Sequence, residues 1–65
     1  MEMNNKLKEI REELRMTQEE LAEKSGVTRQ TISSIETDES YNPTFGTLKK
    51  MSDALGHSIS DIFLK

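Results

Sequence analysis

Sixty-five residues make one small domain, and a chain of that length buries only about 60% of its unfolded surface, so modest stability is expected unless copies pair. The absence of cysteine excludes a disulfide framework, thiolate catalysis and a cysteine-based zinc site, and it fits a cytoplasmic location. No apolar run approaches the roughly 20 residues of a membrane span, no basic-then-apolar leader pattern appears in the sequence, and the net charge of −3 runs against a strongly basic nucleic-acid binder.

In chain order, residues 5–14 read as a first helix, because Leu7, Ile10 and Leu14 fall on one face of a 3.6-residue period. Lys6, Lys8, Glu9, Glu12 and Glu13 cover its remaining surface. Arg15-Met16 is a short link into Thr17, which with Glu20 forms a capping box for a second helix over about 18–24. Gly26 supplies the left-handed backbone of a helix stop, and Val27 is an apolar plug after the turn. Thr28 caps a third helix over about 29–36, with Ile32 and Ile35 as its inner stripe.

Residues 37–43 are turn formers mixed with acids and read as a loop. Thr44 caps a fourth helix whose stripe is Phe45, Leu48, Met51 and Leu55, and Gly56 stops it. Ser58 and Asp61 make a second capping box, opening a short fifth helix with Ile62 and Phe63. No strand, repeat or linker is evident. The expected fold is all-α, a single domain over 1–65 with five short helices. Its core is expected from Leu7, Ile10, Leu14, Leu21, Val27, Ile32, Ile35, Phe45, Leu48, Met51, Leu55, Ile59 and Ile62, with Phe63 open to either core or surface.

The segment 17–36 is a helix-turn-helix, a motif whose second helix fits the major groove of DNA. On a wheel of about 100° per residue, Thr28, Ile32 and Ile35 cluster on the inner face of the third helix. Gln30, Ser33, Ser34 and Thr37 lie opposite, and Arg29 flanks the helix start. Arg suits the O6 and N7 acceptors of guanine, and Gln suits the N6 and N7 edge of adenine. Arg29, Gln30, Ser33 and Ser34 are therefore the candidate base contacts, with Thr28 and Thr31 as candidate phosphate contacts. Seven of the twelve acids lie in residues 1–24, whereas 28–35 holds one base and no acid. The expected DNA face is thus polar and mildly positive on an acidic body, with weak non-specific affinity.

This pattern resembles the helix-turn-helix of the Cro and lambdoid-repressor family. The matching residues are Thr17-Gln18, Leu21-Ala22, Gly26-Val27, Ile32-Ser33 and Ile35-Glu36, continued by Asn42-Pro43-Thr44, Leu48, Ala54-Leu55, Ser58-Ile59 and Phe63. The resemblance implies that Gln18, at the start of the second helix, holds a DNA phosphate. It places Asn42 and Thr44 beside the DNA backbone, and Tyr41 is a further hydroxyl candidate there. It also implies a partly buried ion pair between Arg11 and Glu36. Asp38 and Glu39 depart from the pattern, standing in a loop where related proteins often carry bases, so residues 37–40 are expected to contribute little.

With the chain ending just past the fifth helix and no ligand domain evident, pairing is expected through the C-terminal edge, at His57, Ile59 and Leu64. The expected function is a DNA-binding transcriptional regulator, most simply a dimeric repressor on a pseudo-palindromic operator. An antitoxin-like interaction module that binds DNA secondarily is the alternative, together with a regulator acting on a second repressor. His57 is the one histidine and has no partner for a metal, no glycine-rich phosphate loop exists, and Ser33-Ser34 lacks a nucleophile motif. No enzyme activity, metal, cofactor or small-molecule ligand is expected.

Overall fold

A computed structural model describes residues 5–38 and 40–63. Within them the chain forms α1 (Leu7–Glu13), α2 (Gln18–Ser25), α3 (Arg29–Thr37), α4 (Phe45–Leu55) and α5 (Ile59–Phe63), with no strand among the described residues. The fold is all-α. Leu64, one of the expected pairing residues, and Glu39 lie outside the described residues.

The helix boundaries follow from local chemistry. Asn5, rather than a residue of the first helix, precedes α1: its Oδ1 accepts the Leu7 N–H at 2.9 Å, and its Nδ2 donates to the Ile35 carbonyl at 3.2 Å. α1 stops at Glu13 because the chain turns left-handed at Arg15, φ 59°. There the Met16 N–H reaches the Arg11 carbonyl at 3.0 Å and the Arg15 N–H reaches Glu12 at 2.9 Å. That pair of bonds is a Schellman stop with arginine in the seat glycine usually takes. The Thr17–Glu20 capping box is present, with the Glu20 N–H on Thr17 Oγ1 at 3.0 Å and the Thr17 N–H on Glu20 Oε1 at 2.9 Å. α2 ends at Gly26, φ 80°, where a Cβ would strain the backbone. The second capping box opens α5, through Asp61 N–H to Ser58 Oγ at 3.1 Å and Ser58 N–H to Asp61 Oδ2 at 3.4 Å.

α2 packs against both α3 and α4, α1 against α3 and α5, and α5 against α4. The Lys6 N–H donates to the Ile62 carbonyl at 2.7 Å, tying the start of α1 to α5. The buried core is Leu7, Ile10, Leu21, Val27, Ile32, Ile35, Met51, Leu55 and Ile62, with Met16, Ala22, Leu48, Ala54 and Phe63 packed on it. Each fully buried aliphatic side chain contributes about 1.5–3 kcal/mol relative to exposure.

Two expected core residues are on the surface. Leu14 is 47% exposed because it falls beyond the last turn of α1, where the chain is already leaving the helix. Phe45 is 68% exposed. It opens α4 at the flank of the stripe centred on Leu48, Met51 and Leu55, and a helical side chain leans toward the N-terminus. Ile59 is only half-buried. In their place the structure buries Arg11, Glu36 and Ser52. Arg11 is one turn on from Leu7, so the period that makes Leu7 and Ile10 core carries Arg11 inward too.

Candidate nucleic-acid interface

α3 is held at its start by Thr28, whose Oγ1 accepts the Thr31 N–H at 3.2 Å and donates to Thr31 Oγ1 at 2.9 Å. This box leaves Arg29 and Gln30 exposed on the first turn, beside exposed Thr28 and half-buried Thr31. Ile32 and Ile35 hold the opposite face in the core, fixing which way Arg29 and Gln30 are presented. None of the ion pairs among the described residues engages Arg29. Ser33 and Ser34 are half-buried rather than fully presented, and Thr37 Oγ1 turns back to the Ser33 carbonyl at 2.8 Å.

The second helix start built by threonines is that of α4. The Thr47 N–H donates to Thr44 Oγ1 at 3.2 Å, and the two hydroxyls lie 3.1 Å apart. Asn42 and Thr44 are exposed, as is Tyr41 at 39%. The unpaired N–H groups of a helix start and small polar side chains suit a phosphate without formal charge. Before them, Asp38 Oδ1 accepts from Ser40 through both hydroxyl, at 2.6 Å, and backbone N–H, at 3.0 Å. The Ser40 hydroxyl first, and its N–H second, hold the Asp38 carboxyl below the usual carboxylate range. The loop acid therefore stays charged.

Arg11, Gln18 and Glu36, scattered along the sequence, meet in one network. Arg11 Nε lies 2.8 Å from Glu36 Oε2 and Nη2 lies 3.1 Å from Oε1, while Nη1 donates to the Met16 carbonyl at 2.6 Å. The side chains of Arg11 and Glu36 are 9% and 1% exposed. Hydrogen bonding to Glu36 raises the Arg11 pKa, against the opposing effect of burial, with the charges of Glu36 and Glu12 adding to the rise. Gln18 Nε2 donates to Glu36 Oε1 at 3.0 Å. Spacing along the chain gave no signal for that last bond.

At the C-terminal edge His57 is exposed, with Nδ1 3.9 Å from Asp61 Oδ2. Phe63 is half-buried and packs against the core.

Residues 7–62 match the helix-turn-helix family model. The chain belongs to the helix-turn-helix family, of the Cro and repressor type. It is 46% identical over 63 residues to an uncharacterised HTH-type transcriptional regulator of Methanothermobacter thermautotrophicus, covering 95% of this chain and 90% of that one. It is 45% identical over 62 residues to a similar regulator of Methanocaldococcus jannaschii, covering 95% and 92%. It is 40% identical over 62 residues to the immunity repressor protein of Bacillus phage phi105, covering 95% of this chain but 42% of the repressor. The chain thus spans less than half of the phage protein and about nine tenths of the archaeal ones. This helix-turn-helix domain is a DNA-binding regulator and not an enzyme. Among the described residues, no helix is long and apolar enough to cross a membrane.

Proposed function

We propose that this helix-turn-helix domain is a sequence-specific repressor that binds double-stranded DNA as a homodimer on a pseudo-palindromic operator. The observation that carries the reading is the start of α3. Thr28 caps it, Ile32 and Ile35 anchor it, and Arg29 and Gln30 are exposed there with no ion-pair or hydrogen-bonding side-chain partner among the described residues. Those two side chains are suited to guanine and adenine edges in the major groove. Ser33 and Ser34 sit one turn on, for a short reach to bases. Gln18, Thr28, Thr31, Tyr41, Asn42 and Thr44 are the backbone contacts in this reading, fixing register without reading sequence.

In this reading the copies pair through His57, Ile59 and Leu64, and a pseudo-palindrome asks that the two recognition helices lie about 34 Å apart, one turn of the duplex. The phage relative's name supports the repressor assignment. A gel shift with the promoter of the protein's own operon tests it, against a shuffled duplex of equal composition. Retention of the promoter alone is expected. Equal retention of both duplexes, or of neither, overturns the reading.

A further inference from the structure

Gln18 opens α2, and its half-buried amide is already committed on one side. Its Nε2 donates to Glu36 Oε1 at 3.0 Å, and Glu36 is itself held on both oxygens by Arg11. The orientation of the amide follows from this. Turned over, its carbonyl oxygen would face a carboxylate oxygen at the same distance, two acceptors with no proton between them. A primary amide carries two hydrogens, so the nitrogen that Glu36 fixes still has one to give. A lone carboxylate behind a phosphate donor would repel the phosphate. Here Arg11 neutralises it, so Glu36 can support the amide without that cost.

We infer that Glu36 is a positioning residue for DNA. It locks the amide of Gln18 with nitrogen toward the acid and leaves the second N–H for a phosphate oxygen, while Arg11 cancels its charge. The inference rests on the phosphate role proposed for Gln18 and adds a cause for it. Without Glu36 the amide is free to flip and meet the phosphate with its carbonyl oxygen, a repulsive arrangement.

The test is a double-mutant cycle on binding, between Gln18→Met and the paired variant Arg11→Leu/Glu36→Leu. The pair removes one charge of each sign, so the net charge of the chain does not change. Replacing a buried ion pair by apolar residues is also often neutral for folding. Phosphate contacts do not read sequence, so the probe is a labelled mixed-sequence duplex of about 30 base pairs at about 50 mM salt, followed by fluorescence anisotropy. Binding is read well below the lowest melting midpoint found by circular dichroism.

Gln18→Met and the paired variant should each weaken binding by about three- to tenfold, and the combination should be no weaker than Gln18→Met alone, the non-additivity of two parts of one contact. Losses that multiply, or a paired variant that binds like the wild type while Gln18→Met does not, overturn the inference. A Gln18→Met variant that binds normally overturns instead the phosphate role on which it rests. Should the paired variant not fold, Glu36→Gln keeps the shape and offers a weaker acceptor. It should lose affinity only when Gln18 is present. A gain in affinity, as simple removal of a negative charge near DNA would give, overturns the inference.

Discussion

Arg11 and Glu36, 25 residues apart, join α1 to α3 through a two-point fork, Nε to Oε2 at 2.8 Å and Nη2 to Oε1 at 3.1 Å. Two charges have been taken out of water to make this contact, and such burial is costly unless every donor and acceptor finds a partner. Here the third arm of the guanidinium takes the Met16 carbonyl and the spare capacity of the carboxylate takes Gln18. No buried side-chain nitrogen or oxygen among the described residues lacks a partner.

Removing one member should therefore be worse than removing both. Arg11→Leu or Glu36→Leu alone leaves an unpaired buried charge and should destabilise by about 3 kcal/mol, whereas the pair replaced together should lose much less. Chemical denaturation of the two single variants and the double gives the coupling energy. A coupling near zero would show two charges acting independently.

Base reading makes a different demand. Arg29→Ala and Gln30→Ala remove exposed side chains, so melting should barely move. Each should cost about 1–3 kcal/mol of specific binding and relax discrimination at one operator position. Competition binding with single-base operator variants reads this out. Unchanged specific binding in the double alanine variant would remove these residues from the recognition surface.

Much of the fold was legible because helix ends are local events. The Thr17–Glu20 and Ser58–Asp61 boxes each need only four consecutive residues, and the glycine stops need one. Periodicity gave the side of each helix that faces inward but not how far the neighbours extend. Leu14 and Phe45 therefore satisfy the pattern at helix ends where they are left largely exposed. The Gln18–Glu36 bond joins residues 18 apart on different helices, and no local rule encodes it. The left-handed turn at Arg15 was hidden for the opposite reason: the residue that advertises such a turn, glycine, is missing.

That missing glycine makes a stability prediction. An L-residue with a Cβ pays about 1–2 kcal/mol to sit in the left-handed region, and glycine pays less there but loses more chain entropy. Arg15 is exposed and closes the Schellman stop with its backbone alone. Arg15→Gly should raise stability by about 0.5–1 kcal/mol, visible as a higher melting midpoint. Arg15→Val, β-branched at the same φ, should lower it. A glycine variant that melts lower than the wild type would mean that the arginine side chain makes a contact worth more than the strain.

The charge map predicts a shallow salt dependence. Arg29 is the one formal charge between Ser25 and Ile35, so the slope of log K against log salt should be well short of the roughly −10 of a strongly basic repressor. Asp38→Asn keeps an acceptor for Ser40 while removing a negative charge, so it should raise affinity for non-specific DNA. Because the folded pKa of Asp38 is depressed, the acid is ionised throughout pH 5–7, and its stabilising bonds weaken only as pH falls through that lowered value. The gap between wild type and Asp38→Asn should accordingly stay constant from pH 7 to pH 5. A gap that closes over that window would place the group in a different environment.

Pairing is the last expectation. One recognition helix reads too few base pairs to select a site in a genome, and a two-fold dimer doubles that number. Among the described residues of the proposed edge, His57 is exposed and Ile59 half-buried, while Phe63 is already used by the core. The apolar surface that the described residues offer a partner there is small, so free association should be weak and DNA should supply much of the effective concentration. Sedimentation should then show monomer in free solution at micromolar concentration and two copies on a full operator. Ile59→Glu puts like charges opposite each other in an isologous contact. It should abolish cooperative binding to the full site while a half-site duplex is bound as by the wild type and melting is little changed. One copy on a full operator would sink the dimer, and cooperativity untouched by Ile59→Glu would move the contact to another face.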